Sequence, residues 1–143
     1  MKPNEGRLQT AEHILARTLE HRFSDAKFII SKFGENSGYM EIETKEDLRK
    51  VNRVLLQDDV NEIIKKNLSV SKHILTREDA EKELDLRRLL SSLKEIRIVE
   101  IEGFDKTPCK DPHVGNTSEI GYLGILRIKK VGKDRYRFVL EVR

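Results

Sequence analysis

The sequence has little of what marks several specialised protein classes. Among its 143 residues there is one cysteine, no tryptophan and only 6% aromatic residues. A single cysteine excludes a disulfide framework within the chain, and we expect a reduced thiol in a cytosolic compartment. No apolar run approaches the ~20 residues of a transmembrane helix, and residues 1–5 lack the apolar segment of a signal peptide. We therefore expect a soluble, cytoplasmic protein without a membrane partner.

Charge is what the sequence has in abundance. Charged residues and hydrophobic residues each make up 37%, so a core of ordinary size is expected beneath a salt-rich surface. The 28 Lys and Arg nearly balance the 25 Asp and Glu, and the net charge of +3 is too small to indicate a general polyanion binder. A local basic face remains compatible with this balance. The length predicts a single domain over residues 1–143 rather than two catalytic domains.

Hydrophobic periodicity predicts both helices and strands. Apolar residues recur at helical spacing over residues 8–22 and 45–67, with Thr44 as a candidate N-cap of the second helix and an irregularity near Asp58. Two further short helices are predicted at 77–84, after Thr76 as N-cap, and at 86–93. Strands are predicted at 28–30, 39–42, 69–75, 96–101, 122–131 and 135–142.

The last of these strands shows the clearest alternation. Tyr136, Phe138, Leu140 and Val142 alternate with residues that are charged except for Val139, so one face of this strand is predicted to be buried and the other wet. It pairs in a terminal hairpin about residues 132–134, and an earlier hairpin is predicted about residues 34–38. The fold class is α+β, a mainly antiparallel sheet packed with helices.

The segment 104–116 is predicted to be a loop, and it contains a candidate metal-ligand pair. Cys109 and His113 are four positions apart, and thiolate with imidazole is a frequent ligand set for Zn²⁺. His13 on the first helix is a third candidate, with Gln9 one turn before it, whereas His21 is too far along the axis. The spacing alone leaves two alternatives open: these are ordinary packing and surface residues, or Cys109 and His113 form a thiol–imidazole nucleophile pair.

Two blocks of the sequence resemble a known family. Residues 7–15, Arg-Leu-Gln-Thr-Ala-Glu-His-Ile-Leu, and residues 108–114, Pro-Cys-Lys-Asp-Pro-His-Val, followed by Thr-Ser-Glu-Ile-Gly at 117–121, resemble the signature blocks of the alanyl-tRNA editing family. In that family the blocks read His-x-x-x-His and Cys-x-x-x-His. The family includes free-standing AlaX proteins and the editing domains of alanyl- and threonyl-tRNA synthetases, and the length is similar to the short free-standing type. The resemblance implies the fold of those editing domains.

Residue by residue, the resemblance implies that His13, Cys109 and His113 bind one zinc ion. Gln9 stands in place of the family's first histidine and is at best a weaker ligand, because amide oxygen binds zinc less well than imidazole. Three protein ligands would leave the open coordination of a catalytic site. The sequence also departs from the family at Ser118, which replaces a glycine. The stretch 28–31 likewise lacks the threonine that the family often uses to discriminate serine.

The reaction implied by the resemblance is hydrolysis of the ester that joins a wrong amino acid to the terminal ribose of tRNA. The zinc would polarise a bound water, with His13 and His113 nearby, or hold the amino and hydroxyl groups of the substrate. No carboxylate is an evident general base, although Glu12, Asp105 and Asp111 lie close in sequence.

The leading functional hypothesis is a trans-acting deacylase of Ser-tRNA-Ala or Gly-tRNA-Ala. One alternative is a Ser-tRNA-Thr deacylase, because Pro112 before His113 also resembles the threonyl-type block. The others are a non-catalytic tRNA- or aminoacyl-binding module and a structural-zinc domain.

A mischarged tRNA as partner requires contacts to phosphates. The candidate contacts are basic residues of the terminal hairpin: Arg127, Lys129, Lys130, Lys133, Arg135 and Arg137. The same residues are also compatible with a merely solvated sheet face. The scarcity of aromatic residues argues against extensive base stacking.

Overall fold

The computed structural model describes residues 4–84 and 92–143. The helices are α1 (Glu5–Arg22), α2 (Arg53–Lys65) and α3 (Arg77–Glu81), with 3₁₀ turns at Leu48–Lys50 and Thr117–Ile120. The strands are β1 (Lys27–Phe33), β2 (Ser37–Glu43), β3 (Val70–Thr76), β4 (Glu95–Ile101), β5 (Asp105–Pro108), β6 (Leu123–Gly132) and β7 (Arg135–Val142).

The strands form two sheets in which every named pair is antiparallel. The larger sheet has the order β1-β2-β7-β6 and the smaller has the order β3-β4-β5. The predicted α+β class is therefore confirmed. Among the described residues, no helix is both long enough and apolar enough to cross a membrane.

The main core lies between the larger sheet and helices α1 and α2. Phe138 and Leu140 are fully buried on β7, where the predicted alternation is confirmed, and they join Leu15 of α1 and Leu56 of α2. Burying several large aliphatic side chains of this kind stabilises the fold by about 1.5–3 kcal/mol each. Helix α1 is thereby fixed with one side against the sheet.

Helix α2 also satisfies the backbone at the edge of the larger sheet. Asn61 accepts a hydrogen bond from the Leu123 backbone N–H and donates one to the Leu123 carbonyl, each at 2.9 Å. One turn earlier, the Gln57 side-chain oxygen accepts from the backbone N–H of Ile125 at 2.8 Å. These side chains replace a neighbouring strand, because unpaired buried backbone groups are costly.

The two faces of the smaller sheet have different surroundings. Val70, Val99 and Ile101 point into the main core, whereas Ile96 and Ile98 pack with Ala80 of α3 in a separate cluster. We call the face with Val70, Val99 and Ile101 the core-side face. Its remaining residues lie outside the core, next to α1 and to the segment after β5. That region contains the candidate metal ligands.

The prediction of one helix over residues 45–67 is wrong at its beginning. A 3₁₀ turn comes first, and α2 begins only at Arg53, where the Asn52 side chain accepts a hydrogen bond from the Leu55 backbone N–H as the N-cap. Thr44 does not cap this helix; its hydroxyl donates to Asp25 instead. The helix passes through Asp58 and Asp59 without interruption.

Three other predictions need correction or fall outside the described residues. Residues 104–116 are not entirely a loop, because β5 pairs with β4. The helix opened by Thr76 is confirmed together with its cap, since the Thr76 hydroxyl accepts from the Asp79 backbone N–H, but it ends at Glu81 rather than 84. The predicted helix 86–93 lies almost wholly outside the described residues.

Candidate metal centre

His13, Cys109 and His113 converge on one point in space. Their ligand atoms all lie within 4.8 Å of one another. The Nε2 atom of His113 is 3.4 Å from the Sγ atom of Cys109, and the two imidazole rings meet edge to face with centroids 4.7 Å apart. The three side chains that the sequence names as candidate ligands therefore lie close together, and their binding of a metal stays a prediction.

Three different elements bring these ligands together. Cys109 follows directly on β5, and its backbone N–H extends the pairing with β4 by donating to the carbonyl of Arg97 at 3.0 Å. His113 packs against the start of α1, where a Cβ at Gly6 would lie only 3.3 Å from the His113 carbonyl carbon. His13 extends from the same helix two turns further on. Helix α1 therefore contacts both ends of residues 109–113, which we call the ligand loop.

Thr10 connects α1 to the ligand loop and determines how His113 is oriented. Its hydroxyl donates to the Gly6 carbonyl at 2.8 Å, accepts from the Val114 backbone N–H at 3.2 Å, and lies 3.0 Å from Nδ1 of His113. A hydroxyl has a single hydrogen to donate. With that hydrogen donated to the Gly6 carbonyl, the arrangement favours the tautomer of His113 in which Nδ1 carries the proton and Nε2 presents a lone pair toward Cys109.

Asp105 lies beside Nδ1 of His13, as Thr10 lies beside Nδ1 of His113. Its Oδ2 atom lies 3.5 Å from Nδ1 of His13 and accepts a hydrogen bond from the Thr107 hydroxyl at 2.7 Å, while Arg17 lies 3.8 Å from Oδ1. Metal-bound histidines usually donate their other ring nitrogen to such an outer partner, which fixes the tautomer and raises ligand basicity. Thr10 and Asp105 therefore form the outer shell that a metal centre requires.

The electrostatics of the site favour a cation among the three side chains. Burial would lower the pKa of His13, but the carboxylates of Glu12 and Asp105 outweigh it and raise that pKa well above its ordinary value. Burial raises the pKa of Glu12 to about 7. Burial and the neighbouring charge on His13 lower the pKa of His113 to about 3, so this imidazole is neutral as a metal ligand must be.

A cavity of about 570 Å³ opens beside the ligands. Glu12, Ser31 and Phe28 line it on the side of α1 and β1, and Arg97 and Lys110 line it on the side of the small sheet. This volume is in the range of small-molecule sites. A ligand held here would contact the metal ligands at one end and both acidic and basic side chains around them.

The remaining candidate site residues have separate surroundings. Gln9 is buried one turn before His13 on α1, and whether it binds a metal stays a prediction. Ser118 lies in the second 3₁₀ turn with an ordinary negative φ, so the loss of the family's glycine leaves this turn intact. In the terminal hairpin, Arg135 and Arg137 bind the buried carboxylate of Glu41 at 2.7 and 2.6 Å.

The other basic residues of that hairpin are more accessible. Lys130 lies 6.0 Å from the ring centroid of Tyr136. Arg127, Lys129 and Lys133 are exposed and have no ion pair with any described residue. Their contact with tRNA stays a prediction.

Sequence reasoning missed Thr10 and did not assign a role to Asp105. Thr10 is three residues before His13, a spacing at which helical side chains are neighbours, and this was the available signal. The contact of Asp105 with His13 depends on the pairing of β5 with β4, and no strand is predicted there from the sequence.

Replacing Thr10 by valine should lower zinc affinity by about 10- to 100-fold, the usual cost of losing an outer-shell partner. The variant keeps the volume but loses the hydrogen bonds to His113 and Val114. Competition with a chromophoric chelator measures the affinity, and Thr18→Val on the same helix is the matched control, because Thr18 bonds only its own helix at Ile14. Equal affinities in the two variants would contradict an orienting role for Thr10.

Comparison with known proteins gives a consistent set of relatives. Residues 96–139 match the family described as the threonyl and alanyl tRNA synthetase second additional domain. The chain is 34% identical over 147 residues to the alanyl-tRNA editing protein AlaX-M of Saccharolobus solfataricus, covering 96% of this chain and 58% of the relative.

Two further relatives carry a similar segment. Identity is 32% to the alanyl-tRNA editing protein AlaX-L of Pyrococcus horikoshii, over 91% of this chain and 32% of the relative. It is 27% to the threonine–tRNA ligase of Haloarcula marismortui, over 83% of this chain and 20% of the relative. The chain thus spans little more than half the length of the AlaX-M relative and less of the other two.

Proposed function

The chain belongs to the alanyl-tRNA editing family, and on that premise we propose that it is a zinc-dependent hydrolase that removes a wrongly attached amino acid from tRNA. The observation that carries the proposal is the convergence of His13, Cys109 and His113, two of which, His13 and Cys109, line a cavity. We further propose that residues 1–143 form one editing domain and that it acts in trans on the free mischarged tRNA.

The donor set fits zinc. One thiolate and two imidazoles are typical zinc ligands, and Nδ1 of each imidazole faces an outer-shell oxygen, which leaves Nε2 to face the ion. His13, Cys109 and His113 would hold the ion, and the chemistry it would supply when bound is that of a Lewis acid, which polarises water or holds the amino and hydroxyl groups of the substrate. Gln9, if it binds at all, is the weakest ligand of the set.

The side chains of the cavity wall have their own tasks in this proposal. Asp105 and Thr10 hold the two imidazoles in place, so the ligands need no rearrangement when substrate enters. Glu12 and Ser31 border the space for the amino acid, and Glu12 is the acidic group placed to attract its ammonium. The cavity volume accommodates an aminoacyl group together with its ribose.

For the substrate we propose Ser-tRNA-Ala first and Gly-tRNA-Ala second. The relatives named as alanyl-tRNA editing proteins support tRNA-Ala as the tRNA of the substrate. Ser-tRNA-Thr is the alternative, supported by the similarity to a threonine–tRNA ligase. For the body of the tRNA we propose the exposed cations of the terminal hairpin, Arg127, Lys129 and Lys133, with Lys130 beside them. Arg135 contributes less, because Glu41 already binds it.

The experiment measures metal content and hydrolysis on the same preparation. Protein purified without added metal is analysed for zinc and then incubated with Ser-tRNA-Ala, Gly-tRNA-Ala and Ser-tRNA-Thr, and we expect about one zinc per chain and fastest release from Ser-tRNA-Ala. The control His73→Ala removes an exposed histidine from the opposite side of the small sheet and should change neither result. Bound zinc without release from any of the three substrates would reject the hydrolase in favour of a structural or binding role.

A further inference from the structure

We propose that the core-side face of the small sheet, beside the metal centre, binds the unpaired 3′ end of the tRNA through Lys72, Ile74 and Arg97. We call these three residues the platform. The inference rests on the proposed function, because it names the part of the substrate held next to the reacting ester. It differs from the sequence prediction, which placed the cationic contacts on the terminal hairpin.

The platform begins at a metal ligand. Ile74 of β3 is paired with Arg97 of β4, and the carbonyl of Arg97 accepts the backbone N–H of Cys109 at 3.0 Å. Cys109, Arg97 and Ile74 therefore stand in one row across the sheet. At about 4.8 Å between neighbouring strands, Ile74 is roughly 10 Å from Cys109, a distance that one or two nucleotides span.

A second row runs parallel to the first. Lys72 of β3 is paired with Val99, and Val99 is paired with Thr107 of β5, which lines the cavity. Residues directly opposite each other across strands share a face. Lys72, Ile74 and Arg97 are therefore on the face that carries Val99 and the cavity wall, and α3 occupies the other face.

The basic side chains on this face form no ion pairs with described residues. Lys72, Arg97 and Lys110 have no ion pair with any described residue, and Arg97 donates a hydrogen bond to the backbone carbonyl of Lys110 at 3.1 Å. In the hairpin, two arginines already neutralise Glu41, and the cations without ion pairs there are not among the residues that line the cavity. Cations without ion pairs next to a cavity that also has acidic side chains in its wall favour a ligand whose reacting end is cationic and whose remainder is anionic. An aminoacyl ester with its ammonium and the phosphates behind it has this distribution.

Ile74 supplies the apolar part of the platform. Its side chain is 68% exposed, the largest value among the exposed large hydrophobic residues in the described part of the chain. It lies on the same face as the two cations. An unpaired RNA end presents base faces alternating with phosphates, and proteins bind such ends with a surface that offers both apolar and cationic contacts.

The test compares two forms of one uncharged tRNA, intact and trimmed of its last four nucleotides, by fluorescence anisotropy. Wild-type protein should bind the intact form about 5- to 10-fold more tightly, and Lys72→Glu and Ile74→Ser should each remove most of this preference. Ile74→Tyr should increase it, because an aromatic ring stacks on bases better than an aliphatic chain. Thermal melting confirms that each variant is folded.

Two control variants distinguish a contact on the platform from a general effect of the charge change. Lys106→Glu makes the same charge change on the opposite face of the same sheet and should leave the preference unchanged. Lys129→Glu on the hairpin should weaken both tRNA forms equally. A preference that survives in both Lys72→Glu and Ile74→Ser, or a loss in Lys72→Glu that is equal for both tRNA forms, would overturn the platform. Binding needs no turnover, so absence of hydrolysis with the preference intact would reject only the proposed reaction.

Discussion

Replacing Cys109 by alanine should remove the zinc and abolish hydrolysis of the aminoacyl ester. In the proposal the thiolate is one of three strong ligands among the described residues, and two imidazoles alone do not hold zinc at catalytic sites. The loss of activity should exceed about 100-fold, more than the loss of an outer-shell partner produces. His113→Ala should have the same effect, and Gln9→Ala a smaller one.

Metal content and the rate of release from Ser-tRNA-Ala check this result together. The substitution is small and Cys109 is only half-buried, so the free energy of unfolding measured in urea should change little. Ala16→Ser, on the α1 side of the cavity wall, is a control for a minor change of the cavity that leaves the ligands intact. Full activity in Cys109→Ala would rule out the mechanism.

Loss of Cys109 does not by itself distinguish zinc from the thiol–imidazole alternative. Nε2 of His113 is 3.4 Å from Sγ of Cys109, a contact that a nucleophilic pair would also show. In the proposal, His13 favours zinc. A thiol–imidazole nucleophile pair does not require a second imidazole with its own carboxylate partner at 3.5 Å. A chelator should therefore inactivate the protein reversibly, and zinc should protect Cys109 from alkylation. Activity that withstands chelation would favour the nucleophile.

The sequence predicted the elements whose pattern is local. The terminal hairpin shows strict alternation from Tyr136 to Val142, and α1 shows a clear helical period, so both were predicted close to their observed bounds. The beginning of α2 was not predicted. Leu48 and Val51 continue the helical spacing of the residues after them, but Asn52 caps α2 and separates it from a 3₁₀ turn.

The candidate site was also predicted only in part. Its three ligands were named from the sequence because they stand in two short blocks with a family resemblance. The residues around them were not, since their roles depend on contacts far apart in the chain. Thr10 meets His113 across 103 positions, and the platform exists only because β3 and β4 pair in one particular register. Strand β5 is short and has one proline and two charges among its four residues. It therefore has no periodic pattern from which a strand could be predicted.

Replacing Gln9 by histidine should raise zinc affinity by roughly 100-fold or more. Positions 9 and 13 are one helical turn apart, so the new imidazole would stand on the same face of α1 as His13, and both positions are buried. An imidazole binds zinc far better than an amide oxygen. The gain should exceed the ~10- to 100-fold that an outer-shell partner contributes, since this is a direct ligand.

The effect of Gln9→His on hydrolysis should be opposite to its effect on affinity. Four strong protein ligands close a tetrahedral site, and a closed site leaves no position for water or for the amino and hydroxyl groups of the substrate unless the coordination expands to five. We expect tighter zinc and slower release from Ser-tRNA-Ala, measured for both forms at saturating metal. Tighter zinc with undiminished release would mean that the coordination expands during the reaction. Unchanged zinc affinity would show that position 9 does not face the metal, and the alignment of this helix with the family block would then be wrong.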